Sequence, residues 1–391
     1  MKILQINGVC GIKSTGRICT DLAEVLKENG HECLIAYGRE TVPEKYNSVA
    51  FRIGTDNDVK LHGLKARLFD AAGFGSKQTT ERFVEKIREY DPDIIHLHNI
   101  HGYYINIEVL FKYLKECGKP IVWTLHDCWA FTGHCSYFTA VDCSRWKTGC
   151  FGCPQKQKYP SSFFLDRSKQ NWIKKKELFT SVKNMTVVTP SKWLAELVEK
   201  SFLGKFPVKV INNGIDTEVF KPTYGDFRTA HRLENKKIIL GVASIWGKRK
   251  GLDDFIKLAG LIDDNYVIVL VGVTEKQKNT LPCNIIGISR TNNTAELAEI
   301  YTAANVFFNP TYEDNYPTVN LEAQACGTPV ITYKTGGSPE STDPCGVLPQ
   351  GDVNGAIKLI EKSDAFKILL PPEKKAQYGE YIKLYEELTD K

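Results

Sequence analysis

Short apolar segments alternate with helical patterns along the first half of the chain. The runs KILQIN at 2–7, ECLIAYG at 32–38 and PIVWTLH at 120–126 have the length of buried strands, and amphipathic segments separate them. This alternation predicts a parallel sheet covered by helices on both faces. Between about residues 128 and 165 the cysteines, aromatics and glycines follow no steady period, so we predict a Cys-rich insertion there.

A second alternating set follows the polar stretch at 216–237. A chain of 391 residues exceeds one typical domain, so we predict two α/β domains, at 1–221 and 222–371, and a final amphipathic helix at 372–391. Ligands of open parallel sheets bind beyond the carboxyl ends of the strands. Two doubly wound halves are therefore expected to face a shared ligand across a cleft.

The bulk composition excludes several functional classes. The formal net charge is only +5, which creates no general field for nucleic acid. The longest apolar stretch, at 266–273, is much shorter than the roughly 20 residues of a membrane helix. Asn7 and Gly8 interrupt the first apolar run before it resembles a signal peptide, so we expect a cytoplasmic protein.

The segment NPTYEDNYPTVNLEAQACGTPVI at 309–331 carries the strongest chemical signal. Pro317 suits the first turn of a helix, and Gly327 suits its end. The helix N-terminus would offer backbone N–H groups to a phosphate. Asp314 precedes this helix and Glu322 lies within it, so the two carboxylates could accept hydrogen bonds from a sugar and a ribose. The alternative is a solvated acidic loop.

A basic turn forms the second candidate. In ASIWGKRKGLDDF at 243–255, Lys248, Arg249 and Lys250 follow a predicted strand and precede a helix. Cations at this position can neutralise a leaving diphosphate. Three basic residues in a row are otherwise typical of a solvated turn.

A glycine-spaced loop follows the first strand. In NGVCGIKSTGRI at 7–18, the spacing of Gly8, Gly11 and Gly16 does not match the GxGxxG pattern of dinucleotide-binding proteins. Classical NAD binding is therefore disfavoured, and the loop with Arg17 becomes a candidate for donor binding.

Five of the eight histidines fall in the later part of the first half. His98 and His126 follow predicted strands, at the edge where α/β proteins build their sites. Each histidine alone is expected to be a buried structural residue, whereas the five together favour a polar cleft. The five are His96, His98, His101, His126 and His134.

Taken together, these motifs resemble family 4 of the retaining glycosyltransferases over nearly the whole chain. The family's donor motif is an acid, seven residues, then Glu-Ala-x-Ala-x-Gly-x-Pro, and Asp314 and EAQACGTPV have this spacing. The segments NNGID at 212–216 and GGSPE at 336–340 also match. The forms STGR, LHNIHGYY and WTLHDCWAFTGHC resemble the subgroup that acts in colanic-acid-type and capsular polysaccharide assembly.

The resemblance implies a fold and roles for particular residues. The fold is α/β of the GT-B class: two doubly wound Rossmann-like domains face each other across a cleft, and a C-terminal helix crosses back to the first. The implied roles are Glu322 on the nucleotide ribose, Asp314 on the donor sugar, Lys250 on the diphosphate and His126 beside the reacting sugar and acceptor. Two departures stand out: Asp314 replaces the more usual Glu, and Ile245 replaces an arginine.

Three sets of candidate site residues follow from these motifs and the resemblance. The expected catalytic residues are His126, Asp127, Lys250 and Asp314. The expected donor-binding residues are Gly11, Gly16, Arg17, Arg249, Lys250, Asp314, Tyr316, Pro317, Thr318, Val319 and Glu322. The expected acceptor-binding residues are His98, Asn99, His101 and Tyr103.

The expected activity is retaining transfer of a sugar from a UDP- or GDP-sugar to a lipid-linked saccharide, in assembly of a capsule, exopolysaccharide or O-antigen. No carboxylate pair suited to a hydrolase is evident, and no cofactor is required for catalysis. Two alternatives remain. A nucleotide-sugar epimerase shares the architecture and needs no acceptor, and a scaffold homologue would bind the donor without turnover.

A cysteine cluster lies in the predicted insertion. Only Cys150 and Cys153 have the tight Cys-x-x-Cys spacing of metal sites, while Cys135 and Cys143 are spaced more loosely than in zinc ribbons. The cluster is a candidate structural zinc site, with free thiols or an adventitious disulfide as the alternatives.

A basic segment at 162–179 is a candidate for peripheral membrane contact. Leu165, Trp172 and Phe179 are spaced seven apart among lysines and arginines. A basic amphipathic helix of this type can lie on anionic lipid at the inner face of the plasma membrane. An ordinary helix with a solvated basic face is the alternative.

Overall fold

The computed structural model describes residues 1–389, which divide into two compact units. The first unit contains residues 1–212 together with 375–389, and the second contains residues 213–374. Residues 213–221, which the sequence places in the first domain, therefore belong with the second unit. Within it, the Asn213 side chain donates to the Tyr316 carbonyl at 3.0 Å, and Lys374 Nζ lies 2.6 Å from Asp216. The last two residues of the predicted C-terminal helix, 390 and 391, lie outside the described residues.

The first unit is built on a parallel sheet of seven strands in the order β3-β2-β1-β4-β5-β6-β7. The strands are β1 (Lys2–Asn7), β2 (Glu32–Tyr37), β3 (Ala50–Arg52), β4 (Ile94–Leu97), β5 (Ile121–Thr124), β6 (Met185–Thr189) and β7 (Val208–Val210). The helices of this unit are α1 (Lys13–Glu28), α2 (Asp56–Phe69), α3 (Lys77–Tyr90), α4 (Ile107–Glu116), α5 (Ser168–Thr180) and α6 (Lys192–Glu199).

The second unit has a parallel sheet of six strands in the order β10-β9-β8-β11-β12-β13. The strands are β8 (Lys237–Val242), β9 (Tyr266–Val271), β10 (Ile285–Ile288), β11 (Val306–Asn309), β12 (Val330–Tyr333) and β13 (Val347–Leu348). The helices are α7 (Phe227–Ala230), α8 (Leu252–Ala259), α9 (Glu275–Lys278), α10 (Thr294–Ala303), α11 (Thr318–Ala325) and α12 (Val353–Glu361).

Burial on both faces explains why the central strands are continuously apolar. In β1 the five residues after Lys2 are all buried, and in β9 the five residues after Tyr266 are buried. Helices cover both faces of a parallel sheet, so the side chains that alternate along each strand all meet apolar partners. The predicted class, α/β with two doubly wound sheets, is confirmed.

The C-terminal helix α13 (Lys374–Thr389) packs against the first unit. Its buried side chains include Tyr381, Ile382 and Tyr385, which join a core cluster with α1 and the strands. The Tyr385 hydroxyl lies 2.7 Å from His96 Nδ1, and the Tyr381 hydroxyl lies 3.0 Å from that of Thr124. The helix is therefore held by apolar burial and by hydrogen bonds to β4 and β5.

The segment expected to rest on lipid is mostly built into the first unit. Helix α5 begins at Ser168, and Trp172 and Phe179 on its apolar side are buried. Lys175 is buried as well: its ammonium donates to the Trp129 and Thr132 carbonyls at 2.8 and 3.1 Å, and burial lowers its pKa to about 7. Trp172 and Phe179 therefore pack in the core of the first unit, whereas Leu165 is 46% exposed. Membrane contact through residues 162–179 stays a prediction.

Within residues 1–389, no helix is both long enough and apolar enough to cross a bilayer.

Tyr385 is the residue that tests the anchoring of α13. Tyr385→Ala removes a fully buried aromatic side chain and should lower the free energy of unfolding by about 3–5 kcal/mol. Tyr385→Phe keeps the ring and loses only the hydroxyl bond to His96, so its cost should be about 1–3 kcal/mol. Urea unfolding of both variants measures the difference. If neither variant lowers the free energy of unfolding measurably, Tyr385 does not anchor this helix.

Candidate functional site

The sheet topology of the first unit brings three polar loops together. The strand order reverses between β1 and β4, and open α/β sheets bind ligands where such a reversal occurs. Asn7 ends β1, His98 follows β4, and His126 lies just beyond β5. The Asn99 backbone N–H donates to Asn7 Oδ1 at 3.3 Å, which ties the first two loops to each other.

A hydrogen-bonded row of side chains crosses these loops. Gln5 Oε1 lies 3.0 Å from His98 Nε2, and His98 Nδ1 lies 3.0 Å from His126 Nε2. The rings of His98 and His126 are stacked with centroids 5.3 Å apart. Gln5 and His98 are buried, and His126 is half-buried. His126 is thus the member of the row nearest the surface.

The direction of these hydrogen bonds can be read from Gln5. Its amide nitrogen donates to the Cys19 carbonyl at 2.9 Å, so its oxygen must be the atom that accepts from His98 Nε2. A neutral His98 that donates from Nε2 accepts at Nδ1, and His126 must then donate from Nε2. This order assigns the lone pair of a neutral His126 ring to Nδ1.

Burial keeps both rings neutral. It lowers the pKa of His126 to about 4, and it lowers the pKa of His98 well below the usual value, with the neighbouring histidines acting in the same direction. Since both nitrogens of His98 bind protein partners, this side chain orients His126. That His98 also contacts the acceptor stays a prediction.

Asp127 and His101 form a second polar contact beside His126. Nε2 of His101 lies 2.9 Å from Asp127 Oδ2, and its Nδ1 lies 3.1 Å from the Tyr159 hydroxyl. Burial would raise the pKa of the Asp127 carboxyl, but His101 and the Trp129 backbone N–H outweigh burial and lower it. Asp127 is therefore held as a carboxylate next to His126.

The remaining residues predicted for the first unit lie on the same loops. Asn99 is half-buried, and its carbonyl accepts a bond from the Tyr104 hydroxyl at 2.8 Å. Tyr103 is buried and has a left-handed backbone, with φ of 71°. Gly11 also has positive φ, and its N–H donates to the Gly16 carbonyl at 3.0 Å, which closes the loop at the start of α1. Arg17, the fifth residue of that helix, is half-buried.

The second unit repeats the same topological logic. Its strand order reverses between β8 and β11, so the loops after these two strands are neighbours. Lys250 ends a short turn after β8, and Asp314 lies on the loop after β11. Gly251 follows with φ of 73°, and a Cβ there would lie 2.3 Å from the Pro310 carbonyl oxygen. Glycine is required at this position because it lets the two loops approach.

Lys250 and Asp314 form an ion pair between these loops. The Arg249 guanidinium donates to the Glu313 carbonyl at 2.8 Å, so both cations border the acidic loop. Burial would raise the pKa of the Asp314 carboxyl, but the charges of Lys250 and Arg249 outweigh burial and lower it. The result is an ionised carboxylate beside two cations, at the edge where a phosphate ligand would bind.

Helix α11 carries the remaining donor candidates. Thr318 and Val319 are half-buried in its first turn, after Tyr316 and Pro317, which are buried. Glu322 lies deeper: it is buried, and its Oε2 accepts a bond from the Tyr301 hydroxyl at 3.0 Å. The helix begins one residue after Pro317 and ends before Gly327, in agreement with its sequence punctuation.

The position where an arginine was expected exposes an apolar side chain. Ile245 is 74% exposed on the turn after β8. Arg249 lies in the same connection and contacts the acidic loop through the Glu313 carbonyl. Arg249 therefore supplies a guanidinium to this loop from a different position in the chain.

The four cysteines of the candidate zinc site line one small cavity in the insertion. Cys150 Sγ accepts a bond from the Gly133 N–H at 3.2 Å, and no disulfide joins cysteines in the described chain. Within residues 1–389, no three histidine, cysteine or acidic side chains converge in an arrangement that would hold a metal ion. A structural zinc at Cys135, Cys143, Cys150 and Cys153 stays a prediction.

His134 lies apart from the row of histidines. Its Nδ1 is 2.5 Å from Asp70, whose other oxygen accepts a bond from the Arg167 backbone N–H at 2.7 Å. Both His134 and Asp70 are buried, so this pair fastens the insertion to α2 and α5. His134 therefore has a structural role outside the row.

Sequence reasoning missed Gln5 and the hydrogen-bond partners of Tyr381 and Tyr385 in α13. In KILQIN, Gln5 is the one polar residue between Ile3 and Ile6. A polar residue inside a buried strand must find hydrogen-bond partners. That signal was present in the sequence. Tyr381 and Tyr385 gave no comparable signal, because their partners Thr124 and His96 are far away along the chain.

Two solved structures share this fold over essentially their whole length. A glycosyltransferase from Rickettsia africae matches with a TM-score of 0.68 at 13% identity, covering 99% of this chain and 98% of that one. Anabaena Alr3699/HepE, in complex with UDP-glucose, matches with a TM-score of 0.62 at 15% identity, covering 100% and 98%. At these identities the likeness establishes the fold, which is that of the GT-B glycosyltransferases.

Two relatives are similar in sequence. The putative colanic acid biosynthesis glycosyl transferase WcaC of Escherichia coli is 26% identical over 344 residues, which are 85% of this chain and 82% of that protein. The processive diacylglycerol alpha-glucosyltransferase of Acholeplasma laidlawii is 29% identical over 158 residues, 37% of this chain and 47% of that protein.

Two family profiles match the chain almost end to end. The profile of glycosyltransferase family 4 matches residues 15–219, and that of the group 1 glycosyl transferases matches residues 225–382. The first covers the strand ends with His98 and His126, and the second covers Lys250, Asp314 and Glu322. The chain therefore belongs to glycosyltransferase family 4.

Proposed function

We propose that this protein transfers a hexosyl group, with retention of configuration, from a UDP- or GDP-sugar to a lipid-linked saccharide in cell-surface polysaccharide assembly. The observation that carries the proposal is the ion pair of Lys250 and Asp314 at the strand reversal of the second unit. The names of its relatives agree with parts of it: WcaC for colanic acid, and the Acholeplasma enzyme for a lipid acceptor.

The second unit supplies the donor grip. Lys250 and Arg249 place positive charge where a diphosphate leaves, and the first turn of α11 offers backbone N–H groups to the same anion. Asp314 keeps Lys250 in position and accepts hydrogen bonds from sugar hydroxyls. Glu322, held by the Tyr301 hydroxyl, accepts a hydrogen bond from the ribose.

The first unit supplies the acceptor side. The bond from the sugar C1 to the diphosphate oxygen breaks, and a bond from C1 to the acceptor oxygen forms on the same face. The acceptor proton goes to the departing diphosphate oxygen. His126, with its lone pair on Nδ1, accepts a hydrogen bond from a sugar hydroxyl, and Asp127, Asn99 and His101 border that position. The protein's main contribution is electrostatic, because the charge that develops on the diphosphate meets fixed cations.

Lys250→Ala should reduce kcat/KM by about 100-fold or more, because it removes a preorganised charge from the departing diphosphate. The rate is measured with a membrane extract as the source of acceptor, and chromatography quantifies the nucleoside diphosphate that is released. Lys276→Ala is the matched control: it removes the same charge from exposed helix α9 and should leave the rate unchanged. Near-normal turnover in Lys250→Ala would show that this lysine does not stabilise the departing diphosphate.

Thermal denaturation with a panel of UDP-, GDP-, ADP- and TDP-sugars should identify one stabilising donor. A ligand at 100 times its Kd adds about 2.7 kcal/mol of stability. Glu322→Gln keeps the shape and the contact with Tyr301 but weakens acceptance from the ribose, so the shift should shrink. Stabilisation without consumption of the donor would favour the scaffold alternative, and turnover to an isomeric sugar without an acceptor would favour the epimerase.

The ring nitrogens of His126 provide a test that does not depend on substrates. In the nitrogen-15 spectrum of histidine-labelled protein, we expect His126 to carry its proton on Nε2 and to stay neutral at all pH values above about 5, because burial lowers its pKa to about 4. The folded-state pKa is depressed, so protonation is expected only in more acidic solution.

Gln5→Leu removes the acceptor that fixes this order, and the His126 signals should then report a mixture of tautomers. Tyr385→Phe is the control, because it changes a partner of His96 and leaves the contacts of Gln5, His98 and His126 in place. A wild-type His126 protonated on Nδ1 would refute the assigned order.

A further inference from the structure

Arg39 is a half-buried cation that the proposed mechanism leaves without a role. It lies just beyond β2, and its backbone N–H donates to the Gly8 carbonyl at 2.9 Å, so the loops after β1 and β2 are joined there. Open α/β sheets bind ligands at this carboxyl edge of the strands. The Arg39 Nε atom is buried and has no hydrogen-bond partner within residues 1–389. A buried, unbonded N–H group at a ligand-binding edge indicates a partner from outside the chain.

The guanidinium of Arg39 lies against the loop that follows β4. A Cβ at Gly102 would come 3.4 Å from Arg39 Cζ and 3.5 Å from its Nε, and the φ of Gly102 is 110°. Glycine at this position leaves room for the guanidinium and adopts a backbone conformation that other residues rarely adopt. The cation therefore lies beside the loop that carries His101 and Tyr103, two of the expected acceptor-binding residues.

Tyr103 is the second unusual feature of this loop. Its φ is 71°, a left-handed conformation that is rare for an aromatic residue. Its buried ring packs with Ala66 and Ala72, and it meets the ring of His62 edge-on with centroids 5.9 Å apart. Backbone strain that the surrounding packing holds in place is typical of ligand-binding sites.

A second arginine approaches Tyr103 from α2. Cζ of Arg67 lies 6.0 Å from the centroid of the Tyr103 ring, in a cation–π arrangement. Burial raises the pKa of the Tyr103 hydroxyl, whereas the positive charges of Arg67 and Arg39 act against burial. Both guanidinium groups therefore act on the same phenol from different elements of the first unit.

The Cys-rich insertion contributes Tyr159 to the same place. Its ring centroid lies 6.0 Å from that of Tyr103 and 5.8 Å from that of His101, and its hydroxyl is 3.1 Å from His101 Nδ1. The side chain is 44% exposed, so part of it faces solvent. Two tyrosine rings beside two arginines combine an apolar surface for a sugar ring with charges for an oxyanion.

The carboxylates near these side chains are engaged with other partners. Asp127 lies 2.9 Å from His101 Nε2 and accepts a hydrogen bond from the Trp129 backbone N–H at 2.9 Å. Glu40, which follows Arg39 in the chain, pairs with Lys13. In the part of the chain that the structure describes, neither arginine of the cluster forms an ion pair with a carboxylate. Their positive charge is therefore available to an anionic ligand.

We infer that Arg39, Arg67, Tyr103 and Tyr159 form a site for an oxyanion of the acceptor, which is the carboxylate of an acidic sugar or a phosphate joined to the saccharide. The guanidinium groups donate charge-assisted hydrogen bonds to the oxyanion, and the tyrosine rings contact the adjoining sugar. The site makes the enzyme prefer a charged acceptor to a neutral one. The inference rests on the proposed function only in naming the ligand as the acceptor.

Nitrogen-15 spectra of arginine-labelled, full-length protein test the inference without a donor. The Nε–H group of Arg39 makes no hydrogen bond to the protein, so its signal should move when an oxyanion binds. Glucose, glucuronate and glucose 1-phosphate are the probes. At least one charged sugar should shift this signal at a concentration about tenfold or more below that of glucose, because a hydrogen bond to a charged group contributes about this factor.

The two charged probes distinguish the source of the oxyanion. A shift of the Arg39 signal with glucuronate alone assigns a carboxylate of an acidic sugar, and a shift with glucose 1-phosphate alone assigns a phosphate. Shifts with both support a site that recognises the oxyanion itself. Because the signal belongs to Arg39, binding of glucose 1-phosphate elsewhere on the protein does not produce it. Arg39→Lys assigns the signal, since it deletes the Nε–H group and keeps the charge.

Paired substitutions test the two arginines against a matched control. In Arg39→Gln/Arg67→Gln, the ratio of the Kd for glucose to the Kd for the charged sugar, measured by calorimetry, should fall by about tenfold or more. Arg67→Gln alone changes an exposed side chain and should lower the ratio in the folded protein even if the double variant unfolds. Arg82→Gln/Arg88→Gln removes the same charge from exposed positions of α3 and should leave the ratio unchanged.

Three outcomes would overturn the inference. The first is an Arg39 signal that responds to glucose and to both charged sugars at the same concentration, or to none of them. The second is an unchanged preference for the charged sugar in Arg67→Gln and in the double variant. The third is an equal loss of neutral and charged binding in folded variants, which would show that the arginines only maintain the loop.

The inference and the proposed function can fail separately. Donor-induced stabilisation reports on the second unit and needs no acceptor. Stabilisation by a nucleotide-sugar without any preference for a charged sugar would overturn the inference alone. A clear preference at Arg39 without binding or consumption of a donor would count against the proposed function alone.

Discussion

The hydrogen bonds of buried polar side chains fix the orientation of the polar residues in the first unit. An unpaired polar group inside an apolar sheet costs about 1–3 kcal/mol, so Gln5 must be fully bonded, and its contact with the Cys19 carbonyl fixes which way its amide faces. That choice determines the proton positions on His98 and His126 in turn. The Cys19 backbone carbonyl in α1 thereby determines which ring nitrogen of His126, just beyond β5, carries the proton.

The same requirement extends to the end of the chain. The ring of His96 lies 4.0 Å from that of His98, and its nitrogens bond to Thr124 and to Tyr385 of α13. The final helix therefore completes the hydrogen bonding beneath the candidate site as well as covering apolar surface. Its removal would leave His96 with an unpaired nitrogen directly behind the row that orients His126.

Periodicity predicted the strands, the two-sheet architecture and the loops that carry chemistry, because strand length and burial are written locally in the sequence. Distant pairings were not predictable in this way: Tyr385 is remote from His96 in sequence, and no local pattern identifies its partner. The spacing of Trp172 and Phe179 was correctly interpreted as a helical stripe, but spacing cannot specify which surface a stripe covers. Burial of Trp172 and Phe179 in the first unit decided that question.

Charge at the acidic loop explains how the chain accommodates Ile245. Ile245 lies in the connection after β8, where the family has an arginine. Arg249 lies four residues later in the same connection, and its guanidinium donates to the Glu313 carbonyl. Together with Lys250 it outweighs the burial of Asp314 and keeps that carboxylate ionised. Coulomb attraction depends on the position of a charge and not on the residue number that supplies it. In the proposed mechanism, the two cations beside Asp314 would therefore supply the charge that a departing diphosphate requires.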